Sequence, residues 1–218
     1  MDAKAFLDLV KKDFPGITPS QEEQYMALDS LYRDWNSKIN VISRKDMDGL
    51  YSHHVLHSLA IARYLTYNPG LYASFASSSV LDLGTGGGFP GIPLAILFPD
   101  ASYTLCDSVG KKTLVASEVA RTLGLSNVKV VNARAESLPA KFDYIVSRAV
   151  ASLVDFYPWV KGKYTRGILY LKGGDVAEEL SELMRRHPLR SGCVHVWPVD
   201  SWLDDGYYSG KLLIHIER

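Results

Sequence analysis

The chain has 218 residues, of which 47% are hydrophobic, and its 24 basic side chains balance 24 acidic ones to give no net formal charge. This length and apolar content suit one to one and a half globular domains with a substantial core, and no apolar run reaches the roughly 18–20 residues that a membrane span needs. The chain does not start with a basic segment followed by an apolar one, and its two cysteines, Cys106 and Cys193, are far apart. We therefore expect no secretory signal, no disulfide scaffold, no cysteine-based zinc site, and a cytoplasmic location.

The first third of the chain is predicted to be helical. Apolar residues recur at helical spacing over residues 3–14, and a Pro-Gly pair follows this run. A second helix is expected to begin at Ser20, where Glu23 would complete a capping box three residues later. A third helical stretch covers residues 46–67 and is expected to break around residues 49–52.

From residue 80 the pattern changes to strands that alternate with helices. Helical segments are predicted at 92–98 and 111–123, and β-branched runs are found at 80–83, 103–106, 128–131, 144–146 and 168–171. Such alternation predicts a mostly parallel sheet with helices on both faces. The last two runs, 194–199 and 211–216, flank a loop without helical periodicity, so we expect them to pair antiparallel at the edge of the sheet.

These patterns divide the chain into two parts. Residues 1–67 are predicted to be a helical extension, and residues 68–218 a domain that contains the sheet. The second part begins with a junction at 68–79 that is rich in Gly, Pro and Ser. We expect the extension to pack on the domain through the apolar faces of its helices.

The most informative segment is a glycine loop that follows the first predicted strand. It reads Asp82-Leu83-Gly84-Thr85-Gly86-Gly87-Gly88-Phe89-Pro90-Gly91. Glycine is needed where the backbone turns sharply and where a ligand comes into contact with the main chain. Asp107 closes the next strand about twenty residues further on, where a carboxylate accepts hydrogen bonds from the ribose hydroxyls of an adenosine. The segment therefore predicts a nucleoside-binding site.

The residues of the loop favour a ligand without phosphates. The triphosphate-binding P-loop does not fit, because Leu105 stands where its first glycine belongs and Lys112 where it needs Ser or Thr. A dinucleotide-binding loop would have glycine in place of Phe89. S-adenosylmethionine carries an adenosine and a charged amino-acid tail, and Asp82 suits its cationic side. An acid followed by Gly-x-Gly-x-Gly resembles the first motif of class I methyltransferases.

Further segments narrow the resemblance. They are Trp35-Asn36-x-x-x-Asn40-Val41-Ile42-Ser43, His54-Val55-Leu56-His57-Ser58-Leu59, the glycine loop continued through Ile92-Pro93, Leu105-Cys106-Asp107-Ser108, Ser147-Arg148-Ala149-Val150-Ala151 and Leu171-Lys172-Gly173. With them the sequence resembles the bacterial 16S (small-subunit) ribosomal RNA guanine-N7 methyltransferase family, RsmG, also called glucose-inhibited division protein B or GidB. The run Pro90-Gly91-Ile92-Pro93 is much more specific than a generic glycine motif. The family commonly has Asp where His57 stands, so we assign no charge role to that position.

The resemblance implies a fold, a cofactor and a set of contacts. The fold is the α/β class I methyltransferase fold, a Rossmann-like, mostly parallel seven-stranded sheet with an antiparallel C-terminal strand pair, preceded by an N-terminal helical extension. The cofactor is S-adenosyl-L-methionine. The resemblance and the arguments above together predict the residues that contact the cofactor. They are Asp82, Gly84, Gly86, Gly88, Phe89, Asp107, Ala135, Glu136 and Arg148.

The implied reaction explains why the sequence shows no catalytic acid–base pair. Guanine N7 has a free lone pair on the major-groove edge, so a methyl group is added there without removal of a proton. Catalysis then needs positioning and a field that tolerates the cationic product, and we name no general base. Arg148 is expected to hold the methionine carboxylate and Lys172 to meet a phosphate or guanine O6. The alternative for both is a solvated charge at a strand end.

Two groups of side chains in the helical extension have more than one interpretation in the sequence. Asn40 and Arg44 are predicted to bind substrate, but capping explains the polar cluster around them equally well. His53 and His57 lie one helical turn apart, yet they lack the intervening Glu of a metalloprotease helix and an evident third ligand. We therefore predict no metal.

The implied partner is 16S ribosomal RNA or the small ribosomal subunit, with no membrane. The zero net charge does not indicate a nucleic-acid partner, but between residues 61 and 170 Lys and Arg outnumber Asp and Glu by 11 to 7. Any RNA-binding surface is then a local patch on the middle of the chain. Three alternatives stay open: a methyltransferase acting on a small molecule or a protein side chain, a nucleotide-binding oxidoreductase, and a non-catalytic RNA-binding module.

Overall fold

The computed structural model describes residues 1–138 and 141–218. The helices and strands follow in the order α1 (Ala3–Asp13), α2 (Pro19–Lys38), α3 (Leu56–Thr66), α4 (Pro69–Ala76), β1 (Ser79–Leu83), α5 (Gly91–Leu97), β2 (Ser102–Asp107), α6 (Gly110–Thr122), β3 (Val128–Asn132), β4 (Phe142–Arg148), α7 (Leu153–Val160), β5 (Tyr164–Gly173), α8 (Ala177–Arg186), β6 (Val194–Pro198) and β7 (Lys211–Glu217). A 3₁₀-helix (Arg44–Gly49) and a short π-helix (Leu50–Val55) lead into α3, at the predicted break. Within the described ranges, no helix has both the length and the apolar character that crossing a membrane requires.

Seven strands form one sheet in the order β3-β2-β1-β4-β5-β7-β6. Strands β1 to β5 are parallel, and β7 pairs antiparallel with both β5 and β6. This confirms the predicted parallel sheet and its antiparallel pair at one edge. From β1 the chain proceeds outward to β2 and β3 on one side and then crosses to β4 on the other. Parallel sheets bind ligands beyond their strand ends at such a switch point.

Alternate residues of each strand supply two cores, one on each face of the sheet. Val80 belongs to the core that also contains Phe6 of α1 and Leu59 of α3, whereas Leu81 belongs to the core beneath α7 and α8, which includes Phe156. The N-terminal helices therefore bury their apolar faces against one face of the sheet. As a result, the segment between α2 and α3 lies close to the glycine loop.

The start of α2 differs from the prediction. Its N-cap is Thr18, and the capping box joins Thr18 to Gln21 instead of Ser20 to Glu23. Pro19 stands at the first helical position, where proline needs no hydrogen-bond partner and its fixed φ suits the helix, and this moves the start of α2 before Ser20. The Gly-, Pro- and Ser-rich junction is also more regular than expected, because most of it forms α4 with Asn68 as N-cap.

Candidate active site

The site lies where β1 and β4 separate at their carboxyl ends. Their pairing ends with Asp82 opposite Val146. One residue further, the Ser147 hydroxyl donates a 2.7 Å hydrogen bond to the Leu83 carbonyl and ties the diverging strands together. The glycine loop leaves β1 at this crevice and leads into α5.

The path of the glycine loop depends on glycine at particular positions. Gly84 has a φ of +71°, and its N–H donates to the Cys106 carbonyl at 2.7 Å. A Cβ on Gly84 would lie only 2.3 Å from Val150 Cγ2. Gly88 has a φ of +114°, and a Cβ there would lie 2.4 Å from Ile92 Cδ1. At both positions the backbone conformation disfavours a side chain, and a neighbouring side chain occupies the space that a Cβ would need.

Asp107 at the end of β2 is joined to the loop. Its Oδ2 accepts a hydrogen bond from the Gly86 N–H at 2.9 Å, and its Oδ1 accepts one from the Val109 N–H at 2.8 Å. These bonds fix the orientation of the carboxylate. Each oxygen of an ionised carboxylate has a second lone pair, so Asp107 retains the capacity to accept hydrogen bonds from a ligand.

A cavity of about 260 Å³ opens beside Asp107 at the ends of β1, β2 and β3. Four of the predicted cofactor residues line it, Gly84, Asp107, Ala135 and Glu136. Leu83, Ser108, Ala133, Arg134, Val150 and Trp159 complete the lining. Ligand clefts usually have volumes of roughly 300–1,000 Å³, so this cavity has the size for the adenosine part of a larger cofactor. An apolar wall opposite a carboxylate suits a base joined to a ribose.

Asp82 lies beneath the glycine loop and is fully buried. Its Oδ2 accepts hydrogen bonds from the Thr85 hydroxyl at 2.6 Å and the Gly91 N–H at 2.8 Å, whereas Oδ1 has no hydrogen-bond partner among the described residues. Burial raises the pKa of Asp82 to about 7, against the bonds from Thr85 and Gly91, which lower it. A buried carboxylate with one unpaired oxygen fits a nearby cationic ligand group, which is the role predicted for Asp82.

We expect S-adenosylmethionine to bind more tightly as the pH rises through 7. A carboxyl pKa of about 7 in the folded protein, raised from 3.8, means that Asp82 is largely protonated at pH 6 and ionised at pH 8. A cationic ligand favours the ionised form, and each pKa unit by which binding lowers the pKa changes the affinity about tenfold. Calorimetric titrations at pH 6 and pH 8 should show a difference of roughly that size.

The matched control for this pH dependence is Asp82→Asn, which cannot ionise and should reduce the difference between the two pH values. A dependence that is equal in both proteins would limit Asp82 to supporting the loop. In the absence of ligand, the pH dependence of folding stability has the opposite sign to that of cofactor affinity. A raised carboxyl pKa stabilises the fold at low pH, and this contribution is lost as the pH rises from the ordinary value through 7.

Phe89 and Arg148 lie on the other side of the loop, towards the N-terminal helices. The guanidinium carbon of Arg148 is 5.3 Å from the centre of the Phe89 ring. Arg148 Nη1 donates to the His53 carbonyl at 3.3 Å, and Nη2 lies 3.0 Å from His54 Nδ1. Arg148 comes two residues before Val150, which lines the cavity, but Arg148 is not part of the lining. The methionine end of the cofactor therefore has to extend across the loop if Arg148 is to reach it.

Three histidines and Asp46 surround Arg148. Asp46 contacts His53 Nδ1 at 2.5 Å and His54 Nε2 at 2.7 Å. Burial, together with the charge of Arg148, lowers the pKa of His54 to about 4. The same two causes lower the pKa of His57, so both rings are neutral at pH 7. The predicted absence of metal stays a prediction. His53 is engaged by Asp46 and stacks on Tyr207 with 3.7 Å between ring centres.

Another group of potential metal ligands lies on β6 and β7, away from the glycine loop. In the described part of the chain, His195, His215 and Glu217 bring their ligand atoms within 4.8 Å of one another. Glu217 is already paired with His195 at 3.2 Å and with Arg190 at 3.3 Å. The third member, His215, is buried and contacts the Tyr64 hydroxyl at 3.1 Å, so all three side chains have partners within the protein.

Asn36 supports the segment that carries the predicted substrate residues. Its Oδ1 accepts hydrogen bonds from the N–H groups of Val41 and Ile42, at 2.8 and 2.9 Å, and its Nδ2 donates to the Ile42 carbonyl at 2.8 Å. Asn36 therefore has a structural role, because its side chain holds the backbone that follows α2. Asn40 is exposed on the turn that Asn36 organises, and Arg44 is exposed at the start of the 3₁₀-helix that follows. Their role as substrate ligands stays a prediction.

Replacing Asn36 by alanine is expected to lower the free energy of unfolding by about 2–4 kcal/mol, because three buried backbone groups lose their partner. For a protein of this size, Tm falls by roughly 5–12 °C. Thermal unfolding followed by circular dichroism measures the effect. Asn40→Ala is the control, since an exposed side chain should change stability by less than about 0.5 kcal/mol. Equal shifts in the two variants would contradict the bracing role.

Lys172 is engaged within the protein. Its Nζ lies 2.7 Å from Glu179 Oε2 and donates to the Ala151 carbonyl at 3.2 Å. The structure thus brings Gly84, Asp107, Ala135 and Glu136 together at the cavity. It places Asp82 beneath the loop, Phe89 and Arg148 on its other side, and Lys172 in an internal ion pair. Sequence reasoning missed Val150 and Trp159. Neither side chain carries a charge or belongs to the glycine loop, so no signal in the sequence marked it as a ligand contact.

Comparison with known proteins gives relatives over nearly the whole chain. A family described as GidB, rRNA small subunit methyltransferase G, matches residues 21–198. This chain is 52% identical to a ribosomal RNA small subunit methyltransferase G of Bacteroides fragilis (strain ATCC 25285), and the alignment covers 96% of this chain and 99% of the relative. The protein of the same name from Christiangramia forsetii is 44% identical over 96% of both chains.

Solved structures confirm the fold class. The magnesium protoporphyrin IX methyltransferase ChlM of Synechocystis PCC 6803, solved with bound SAM, is similar with a TM-score of 0.60 over 93% of this chain and 99% of that one, at 10% identity. A ribosomal protein L11 methylase from Lactobacillus delbrueckii subsp. bulgaricus has a TM-score of 0.54 at 18% identity, over 75% of this chain and 76% of that one. At these identities the similarity concerns the fold, a class I methyltransferase sheet.

Proposed function

This chain belongs to the GidB family, rRNA small subunit methyltransferase G, and we propose that it methylates N7 of a guanine in 16S ribosomal RNA. It is a methyltransferase that uses S-adenosylmethionine. The observation that carries the proposal is the strand-end cavity, where the loop at Gly84 meets the Asp107 carboxylate. Since ribosomal RNA is found in the cytoplasm of bacteria, we propose that location.

The residues of the site can bind and orient both reactants. Asp107 would accept the ribose hydroxyls, and the side chains of Val150 and Trp159 would cover the adenine. Arg148 would hold the methionine carboxylate from its position over Phe89. When bound, S-adenosylmethionine supplies the electrophilic methyl group. Because guanine N7 carries a lone pair and no proton, the protein has to align the base and does not have to remove a proton.

We place the RNA on the side of the loop that faces the N-terminal helices. Asn40, Arg44 and Lys45 are exposed there, in the segment that Asn36 organises. Arginine and lysine at such positions contact phosphates and fix the register of the RNA, while the identity of the base is read closer to the cofactor. Their removal should weaken RNA binding and leave cofactor binding unchanged.

The test uses methyl-labelled S-adenosylmethionine and RNA from cells that lack this protein. Free 16S RNA and intact small subunits are assayed side by side, and the labelled nucleoside is identified after digestion. Label in 7-methylguanosine of 16S RNA is the expected result. Arg44→Ala should raise KM for the RNA several-fold at unchanged KM for the cofactor. Bound cofactor without label in any RNA would contradict the proposal and direct the search to small-molecule or protein acceptors.

A further inference from the structure

The loop that follows β4 has a backbone conformation that its sequence does not favour. Ala149 has a φ of +49°, and it is the one non-glycine residue with positive φ in the described ranges 1–138 and 141–218. L-residues rarely adopt this left-handed region, and when they do the surrounding structure has to hold them there. The conformation turns the chain sharply between Arg148 and α7.

The Tyr170 hydroxyl is the group that holds this turn. The side chain of Tyr170 is fully buried on β5, next to Phe156. Its hydroxyl accepts hydrogen bonds from the Val150 and Ala151 N–H groups, at 3.0 and 3.1 Å, and donates to the Ala151 carbonyl at 2.9 Å. A phenol has one proton and two lone pairs, so the turn uses the full hydrogen-bonding capacity of this hydroxyl.

The ion pair between Lys172 and Glu179 supports the same turn. Lys172 Nζ donates to the Ala151 carbonyl and to Glu179. Glu179 Oε2 also accepts a hydrogen bond from the Leu153 N–H at 2.9 Å. The turn is therefore tied to β5 through Tyr170 and Lys172, and to α8 through Glu179.

The residue that this turn positions is Val150. Its side chain lines the cavity, and it covers Gly84 so closely that a Cβ there would lie 2.3 Å from Val150 Cγ2. Since the Val150 N–H is bonded to Tyr170, the buried hydroxyl sets the position of one cavity wall.

We propose that Tyr170 is a positioning residue for the methyl donor: its hydroxyl fixes the 149–151 turn so that Val150 forms the wall against which the cofactor binds. The Lys172–Glu179 ion pair is its second support. This inference rests on the proposed placement of S-adenosylmethionine in the cavity beside Asp107. It also gives Lys172 a role that differs from the predicted contact with RNA.

The first experiment measures the Kd of S-adenosylmethionine for the full chain by calorimetry, together with methyl transfer to RNA. Tyr170→Phe removes only the hydroxyl, and we expect it to weaken cofactor binding about tenfold, because three backbone groups lose their common partner. KM for the cofactor should rise in parallel, while KM for RNA and kcat at saturating cofactor change less than about twofold.

The control is Tyr144→Phe. Tyr144 is a buried tyrosine on the adjacent strand β4 whose hydroxyl contacts the Ser74 hydroxyl at 3.1 Å, away from the turn. The Tyr144→Phe variant should lose stability as Tyr170→Phe does, but its Kd for S-adenosylmethionine should equal that of the wild type. Glu179→Ala tests the second support without disturbing the core, and it should weaken cofactor binding about threefold.

The outcomes separate this inference from the placement of the cofactor. If Asp107→Ala weakens binding strongly while Tyr170→Phe and Glu179→Ala bind within twofold of wild type, the placement stands and the positioning role is overturned. If Asp107→Ala has no effect, the placement fails and the inference fails with it. If Tyr170→Phe does not fold, Glu179→Ala alone decides.

Discussion

Gly84→Ala is expected to weaken the binding of S-adenosylmethionine at least about 100-fold, which corresponds to roughly 2.7 kcal/mol. Two effects combine. The φ of +71° costs an L-residue about 1–2 kcal/mol, and the new methyl group would lie 2.3 Å from Val150 Cγ2. Val150 or the glycine loop has to move, and both movements alter the cavity. Calorimetric titration of the folded variant measures the loss.

Gly124→Ala is the matched control for this variant. Gly124 follows α6 with a φ of +68°, and a Cβ there meets no atom within 4 Å. It therefore experiences the same backbone strain without a collision and far from the cavity. We expect Gly124→Ala to lose about 1 kcal/mol of stability and to bind the cofactor normally. A Kd for Gly84→Ala within threefold of the Gly124→Ala value would show that the cofactor does not depend on this part of the loop.

Asp107→Ala is expected to have an effect of similar size, about 100-fold on the Kd of the cofactor. Hydrogen bonds to a charged acceptor contribute about 1.5–3 kcal/mol, and the carboxylate is predicted to receive them from the ribose. The Gly86 and Val109 N–H groups lose their acceptor as well, so the loop becomes less well ordered. Asp107→Asn, which keeps one carbonyl oxygen, should fall between wild type and Asp107→Ala.

A ligand change separates the ribose contact from the loop contact of Asp107. An analogue of S-adenosylhomocysteine that lacks the ribose 2′-hydroxyl should bind wild type more weakly than the parent compound, whereas Asp107→Ala should not distinguish the two. Asp2→Ala is the control protein, because Asp2 also accepts a backbone N–H, at 2.8 Å, but at the start of α1. Equal discrimination by wild type and Asp107→Ala would exclude the ribose contact.

Much of the fold and the centre of the site could be predicted from the sequence because their signals are local. The alternation of strands and helices follows from side-chain periodicity over a few residues, and the glycine loop with Asp107 is a pattern about 25 residues long. Hydrophobic spacing over residues 3–14 also identified α1. Local signals were less reliable at α2, where Thr18 competed with Ser20 as N-cap and Pro19 decided the outcome.

The roles of the charged and apolar residues around the loop became visible only in the folded protein. Asp82 is buried with one unpaired oxygen, Lys172 is paired with Glu179, and Val150 is held by Tyr170 twenty residues further along the chain. Such contacts join side chains from different elements, and neither their partners nor their burial has a period or spacing in the sequence. Sequence motifs were sufficient to predict the backbone that we propose surrounds the cofactor. The packing of β4, β5 and α8 decided which side chains shape its cavity, because hydrogen bonds and ion pairs form only between groups that the fold has already brought within about 3 Å.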